Sequence, residues 1–168
     1  MPNSAFAFEI KSLTEAGEFS GLASVYDVRD LQGDIVAKGA FQKTLSASRQ
    51  RPLLFEHHDT IGIVALEDSE RGLIARGKLT LGVQKAKEAY LLLKDRAIEG
   101  MSIGYETIKS DFEGENRILR EVKIWEVSLT TFPANPAATV TAIKTARATS
   151  ITAALDELRN GILRGLEV

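Results

Sequence analysis

The sequence predicts a mainly β fold of the α+β class: an antiparallel sheet or small β-barrel with a few helices packed outside it. Three observations lead there. Apolar residues recur at every second position through most of the chain, as on half-buried strands. Short clusters of glycine and charged or small polar residues interrupt that alternation, as turns do. Only three stretches carry the three- and four-residue spacing of a helix, and one of them lies at the C-terminus.

In chain order, Ala5 to Lys11 alternates with Phe6, Phe8 and Ile10 on one face. Gly17 to Tyr26 follows the turn-like Thr14-Glu15-Ala16-Gly17, so the two segments are expected to pair as a hairpin. Asp30 to Gly33 reads as a loop. Phe41 to Arg49 is a short helix, with Phe41 and Leu45 on one face. Pro52 opens an apolar strand, Leu53-Leu54-Phe55, that runs into Glu56-His57-His58-Asp59. Ile61 to Glu67 and Leu73 to Leu81 are strands joined by the turn Asp68 to Gly72. Val83 to Arg96 is the clearest helix, with Val83, Ala86, Tyr90, Leu93 and Ala97 forming its apolar face. Gly100 to Lys109 and Asn116 to Thr131 read as a long antiparallel hairpin. Phe132 to Pro136 cannot continue a strand, because proline lacks the backbone donor, and Ala138 to Ile143 is a last short strand. From Thr145 the composition shifts to Ala, Thr, Arg and Ser. Residues 1–144 are therefore expected to form one domain, and residues 145–168 a linker and helical tail with Leu155, Leu158 and Ile162 on one face.

The chain has 168 residues, enough for one domain with a real core. Lys and Arg number 21 and Asp and Glu 23, a net charge of −2, so nothing suits it to a nucleic-acid backbone. With no cysteine, disulfides, thiolate metal sites and a cysteine nucleophile are excluded. No apolar run is long enough for a membrane helix and the N-terminus lacks a secretory layout, so a cytosolic protein without membrane contact is expected.

Chemistry is confined to few places. The two histidines, His57 and His58, are adjacent at the end of an apolar strand. If the alternation continues, Leu53, Phe55 and His57 share one side and Leu54, Glu56 and His58 the other. An imidazole there, with an ordinary pKa near 6.5, suits a general base, although composition alone favours two polar residues that simply end a strand. Strand neighbours diverge, so His57, His58 and Asp59 do not suit a metal. In Glu99-Gly100-Met101-Ser102-Ile103-Gly104-Tyr105, Ser102 shares its face with two glycines. That leaves its hydroxyl open and lets a peptide come close, but a serine needs a neighbouring base to act as nucleophile; otherwise it is a small polar surface residue. In Ile124-Trp125-Glu126-Val127-Ser128-Leu129, Trp125, Val127 and Leu129 share one face, with Ile124, Glu126 and Ser128 on the other. A carboxylate in so apolar a stretch requires a partner, either an imidazole or a cation such as Arg120 or Lys123.

These strings, with Trp125-Glu126-Val127-Ser128-Leu129-Thr130-Thr131-Phe132-Pro133-Ala134-Asn135-Pro136, His58-Asp59, Gly21 to Tyr26 and Gly39-Ala40-Phe41, resemble the prohead maturation proteases of tailed bacteriophages from about Phe6 to Lys144. The resemblance implies a serine endopeptidase with the herpesvirus-assemblin fold, an antiparallel barrel surrounded by helices, and a homodimer. It implies a triad of Ser102 as nucleophile, His58 as base and Glu126 as orienting acid. The family places its histidine directly before an Asp, which selects His58 over His57. Ser128 is then structural or a reserve nucleophile, and Asn135 a candidate oxyanion donor. No metal or cofactor is implied. The expected substrates are scaffolding protein or the scaffolding segment of the major capsid protein, and the protease itself, inside the assembling procapsid in the bacterial cytoplasm. The competing expectation is a non-catalytic assembly protein of the same fold.

Overall fold

The structure, a computed structural model, describes residues 16–143. The hairpin partner expected over Ala5 to Lys11 and the tail from 145 onward lie outside the described residues. Within them run β1 (Glu18–Val25), β2 (Asp34–Val36), α1 (Gln42–Ala47), β3 (Gln50–Phe55), β4 (Asp59–Asp68), β5 (Gly72–Leu79), α2 (Gln84–Lys94), β6 (Gly100–Glu113), β7 (Asn116–Thr130) and β8 (Val140–Ile143).

The eight strands form one curled sheet, a half-barrel with two short helices, in the order β2-β7-β3-β4-β5-β1-β8, with β6 on the other side of β7. Most neighbours are antiparallel, as the alternation predicts. Two are not: β2 and β3 each run parallel to β7, at Asp34–Val36 and Leu53–Phe55. Residues so distant in sequence leave no local trace of such pairing, and a three-residue strand such as β2 is too short to show a period. It directly follows the Asp30 to Gly33 loop, in a stretch to which the sequence reading assigns no element.

The run into β8 meets the start of β6. Thr139 bridges Gly100, the Met101 N–H donates to the Ala138 carbonyl at 2.9 Å, and the Val140 N–H donates to the Glu99 carbonyl at 2.8 Å. The segment that enters β8 thus joins the start of β6 to β1, beside Ser102. Inside the curl, Leu53, Ile61, Val64, Leu73, Leu79, Met101, Leu119, Ile124 and Leu129 are fully buried or nearly so. Phe41 stacks on Tyr26 at 5.5 Å between ring centroids.

The two helices expected within the described residues form, each slightly shorter than its pattern. Burial of Ala86, Ala89 and Leu93 docks α2 on the sheet. It stops at Lys94 because Arg96 turns left-handed at φ 57°. The Ala97 N–H then reaches the Leu92 carbonyl and the Arg96 N–H that of Leu93, the two bonds of a Schellman ending. Ala97 is left exposed, and Ile98 supplies the buried contact instead. On α1 the buried Thr44 hydroxyl donates to the Val122 carbonyl at 2.8 Å and accepts from the Ile124 N–H at 3.2 Å, pinning the helix to an irregular stretch of β7. Among the described residues no helix is long and apolar enough to cross a membrane.

Candidate active site

The paired strands β6 and β7 carry one half of the site. Their register sets Ser102 opposite Ser128 and Gly104 opposite Glu126. Directly paired residues share a face, so one hydroxyl, a second hydroxyl and a carboxylate lie together. The register then slips: Tyr105 faces Ile124, and Trp125 is left without a partner. This β-bulge resets the alternation. Ile124 and Val127 both enter the core, whereas Trp125, read as sharing the face of Val127 and Leu129, is half exposed under the Lys123 ammonium, 3.9 Å from its ring centroid.

The glycines beside Ser102 leave room for the protein's own groups rather than for an approaching peptide. A Cβ on Gly104 would lie 2.3 Å from Glu126 Oε1, and one on Gly100 would lie 2.6 Å from the Thr130 carbonyl and 2.7 Å from the Pro133 ring. Gly104 is therefore the space in which the carboxylate lies.

The parallel pairing of β3 on β7 delivers the other half. Leu54 lies beside Ser128 and Phe55 beside Leu129, and the chain then turns sharply into β4. The His58 N–H closes this turn on the Phe55 carbonyl at 3.0 Å. Its two central residues, Glu56 (φ 49°) and His57 (φ 61°), are both left-handed. For residues with a Cβ that costs on the order of 1–3 kcal/mol each, and hairpins usually place Asn-Gly there.

Side chains hold the turn in place. Glu56 Oε2 accepts the Thr130 hydroxyl at 2.7 Å, and Oε1 accepts the Thr131 N–H at 2.8 Å and the Thr131 hydroxyl at 2.9 Å. The Glu56 N–H donates to the Leu129 carbonyl at 3.0 Å. The His57 N–H donates to Ser128 Oγ at 3.1 Å, and the His57 ring meets Glu126 through Nδ1, 2.7 Å from Oε1. Hydrogen bonds to a charged carboxylate contribute roughly 1.5–3 kcal/mol each, the same order as the strain they oppose.

What the resemblance implies therefore parts from the geometry at one residue. His58 was expected to meet Glu126; the imidazole on that carboxylate belongs to His57. The His58 ring instead bonds through Nδ1 to the Glu56 carbonyl. The cause is the left-handed pair, which ends the strand at Phe55 and removes the two-residue period from which the faces of 57 and 58 were read.

Ser128 is fully buried, and its hydroxyl donates to Glu126 Oε2 at 2.9 Å. It braces the carboxylate and, by accepting the His57 N–H, the turn. Arg120 and Lys123, the other candidate partners of Glu126, are occupied elsewhere: Arg120 on Asp111 and Glu113, Lys123 over Trp125. Among the described residues no three acidic or histidine side chains converge on a metal position.

The ionised carboxylate can only accept, so it fixes the proton of neutral His57 on Nδ1 and leaves a lone pair on Nε2. The hydrogen bond to Glu126 holds the imidazole pKa above its usual value; burial opposes this, and the charges of Glu126 and Glu56 add to it. For Glu56, burial works to raise the carboxyl pKa, but hydrogen bonds from Thr130 and Thr131 and the His57 charge outweigh it and hold it below the usual range.

His57 and Ser102 line the same cleft, of about 390 Å³. Ser102 is 8% exposed. The cleft has an apolar mouth, where Leu31 and Phe132 stand largely exposed on loops joined by the Leu31 N–H to Ala134 carbonyl bond. One wall is a buried carboxylate that sequence reasoning missed. Asp34 accepts Arg117 Nε at 2.7 Å and the Tyr105 hydroxyl at 3.0 Å, and the Arg117 bond holds its pKa low against burial. Asn135 also lines the cleft, but its amide donates to the Val25 carbonyl at 3.2 Å and accepts the Ala137 N–H at 3.0 Å. In this arrangement it fastens the Phe132–Pro136 loop to β1.

The description of the Caudovirus prohead serine proteases matches residues 6–154. The prohead protease of Enterobacteria phage HK97 is 34% identical over 136 residues, covering 76% of this chain. The chain spans 60% of that relative's length. Among solved structures, KSHV protease in complex with a hexapeptide phosphonate inhibitor superposes with a TM-score of 0.51 at 12% identity, over 73% of this chain and 63% of the other. The fold is thus herpesvirus-protease-like.

Proposed function

The chain belongs to the Caudovirus prohead serine protease family, which acts in capsid maturation, and on that premise we propose that it is an endopeptidase whose triad is Ser102, His57 and Glu126. The observation that carries this reading is the 2.7 Å bond from His57 Nδ1 to Glu126 Oε1, at a cleft that Ser102 also lines. His57 Nε2 takes the Ser102 proton as Oγ attacks the scissile carbonyl carbon. The tetrahedral intermediate then breaks its C–N bond, and the leaving amine receives that proton back from the imidazolium, whose charge Glu126 balances throughout. Water, deprotonated by the same nitrogen, releases the acyl group and restores Ser102.

The substrates are scaffolding protein, or the scaffolding segment of the major capsid protein, and the protease itself, inside the assembling procapsid. Residues 1–144 act as the protease domain and 145–168 as an appended tail. The active species is a homodimer, and a monomeric mass by light scattering in a fully active sample would remove that element.

Incubation with a fluorophosphonate, followed by mass-spectrometric mapping of the adduct, tests the triad. Labelling is expected on Ser102, lost in Ser102→Ala and in His57→Ala, and retained in His58→Ala. Loss in His58→Ala with retention in His57→Ala would return the base to His58. Absence of any adduct in the assembled wild-type protein would favour a non-catalytic assembly role.

A further inference from the structure

We infer that Glu56 is a positioning residue for this reaction: by anchoring a left-handed turn to the end of β7, its carboxylate holds His57 on Glu126. The inference rests on the triad reading above and adds a residue that touches neither substrate nor Ser102.

Four observations converge on it. Both central residues of the β3–β4 turn have positive φ, and neither is glycine or asparagine. The sequence thus gives up the residues that would form this turn most readily. Both Glu56 carboxylate oxygens are engaged, by three donors from Thr130 and Thr131. Those two residues directly end the strand that carries Glu126 and Ser128, so the clamp joins the element bearing the base to the element bearing its acid. Finally, the His57 N–H is bound by Ser128, whose own proton goes to Glu126. Backbone and ring of His57 are therefore both referenced to one carboxylate, and only while the turn keeps this shape.

A turn held for fold stability alone would be expected to relax without loss if its strain were removed. One held for the imidazole would not. The Glu56→Gly variant separates these cases, since glycine accepts positive φ freely but cannot clamp Thr130 and Thr131. Its melting temperature is expected to fall modestly, because the strain relieved at residue 56 offsets only part of the three hydrogen bonds lost, with the protein still folded at the assay temperature. Its fluorophosphonate labelling rate at Ser102 is expected to fall about 100-fold, the lower end of what a positioned base contributes. The acid limb of that rate should also move to lower pH. The groups acting on His57 are Glu126 and Glu56, and the variant loses one charge and loosens the ring from the other. Glu56→Gln, which keeps an oxygen for Thr131 and an amide for the Thr130 hydroxyl, should restore most of the rate.

A Glu56→Gly protein with rate and pH profile within about twofold of wild type overturns the inference, since a positioned base contributes far more. So does one whose rate falls only in step with its folded fraction, or a Glu56→Gln protein as slow as Glu56→Gly. If Ser102→Ala is silent in the same assay, such a result defeats the inference alone. If Ser102→Ala still labels, the triad reading has failed and takes the inference with it.

Discussion

Two hairpin turns in this molecule solve the same geometric problem in opposite ways. The β6–β7 turn has a two-residue loop with Gly114 first, at φ 63°, and nothing lies within 4 Å of where a Cβ would sit. Glycine takes that conformation without strain, and no side chain is needed to hold it. The β3–β4 turn places Glu56 and His57 in the same left-handed region and supports them with hydrogen bonds from Thr130 and Thr131 to Glu56 and from His57 to Ser128 and Glu126. The first turn only reverses the chain. The second also presents an imidazole to a cleft, and strain is tolerated there because neighbouring groups over-determine the conformation.

The largest effect should come from changing what the strained turn meets. Glu126→Gln keeps the shape of the side chain but can turn an amide donor toward His57 Nδ1, which selects the tautomer with its proton on the wrong nitrogen. The labelling rate of Ser102 is expected to fall about 10³–10⁴-fold, as for other triads with a neutralised acid, with circular dichroism unchanged. Gly104→Ala should come next. Its Cβ would lie 2.3 Å from Glu126 Oε1, so the carboxylate must move off His57. A loss of about 10²-fold is expected, the scale of a displaced base. Wild-type rate in that variant would show that the carboxylate has other room.

A gentler probe is pH. The proposed base, His57, can accept a proton only when neutral, and its pKa is held above the ordinary 6.5 by the Glu126 bond. The rate should therefore rise with pH along a limb whose midpoint lies above 6.5 and moves down in Glu126→Gln. The sign for stability is the reverse. A raised imidazole pKa stabilises the fold fully below the unfolded value, and that contribution is lost as pH rises through the folded value. This pair thus helps hold the site together on the acid side, while the chemistry requires the other.

The contrast between the turns also marks how far the sequence could be read. Gly114 within a charged cluster announced a turn, and the alternation on either side of it announced the long hairpin. The faces of Ser102 and Glu126 were legible for the same reason, because β6 and β7 keep a two-residue period where the two side chains lie; their pairing in one site came from the resemblance alone. The period broke at two points that carry no composition signal. The bulge at Trp125 turned a large aromatic outward, and only the register against Tyr105 reveals it. The left-handed pair at 56 and 57 broke the assignment of faces to His57 and His58, because Glu-His is not a turn signature. Asp34 escaped notice because its partners, Tyr105 and Arg117, are distant in sequence and reach it only through the parallel pairing of β2 on β7. What the sequence hid was long-range bonding; what it disclosed was local periodicity.

The smallest effects belong at the far end of the hairpin, and they complete the contrast. Gly114→Ala places a Cβ on a left-handed residue that has open space around it. The cost is backbone strain alone, about 1 kcal/mol, read as a lower melting temperature with the Ser102 labelling rate unchanged. Arg120→Ala removes the exposed contacts to Asp111 and Glu113 at 3.0 and 2.9 Å. Ion pairs of that kind are screened by water and give up side-chain freedom to form. Neither melting temperature nor labelling rate should change. Both turns have a backbone that favours glycine, but only the tip uses one, and this predicts different substitution behaviour: adding a Cβ at 114 costs stability and spares chemistry, whereas removing the side chain at 56 costs chemistry far beyond its modest cost in stability. A Gly114→Ala protein that folds normally but labels slowly would couple the tip to the cleft and dissolve the distinction between the two turns.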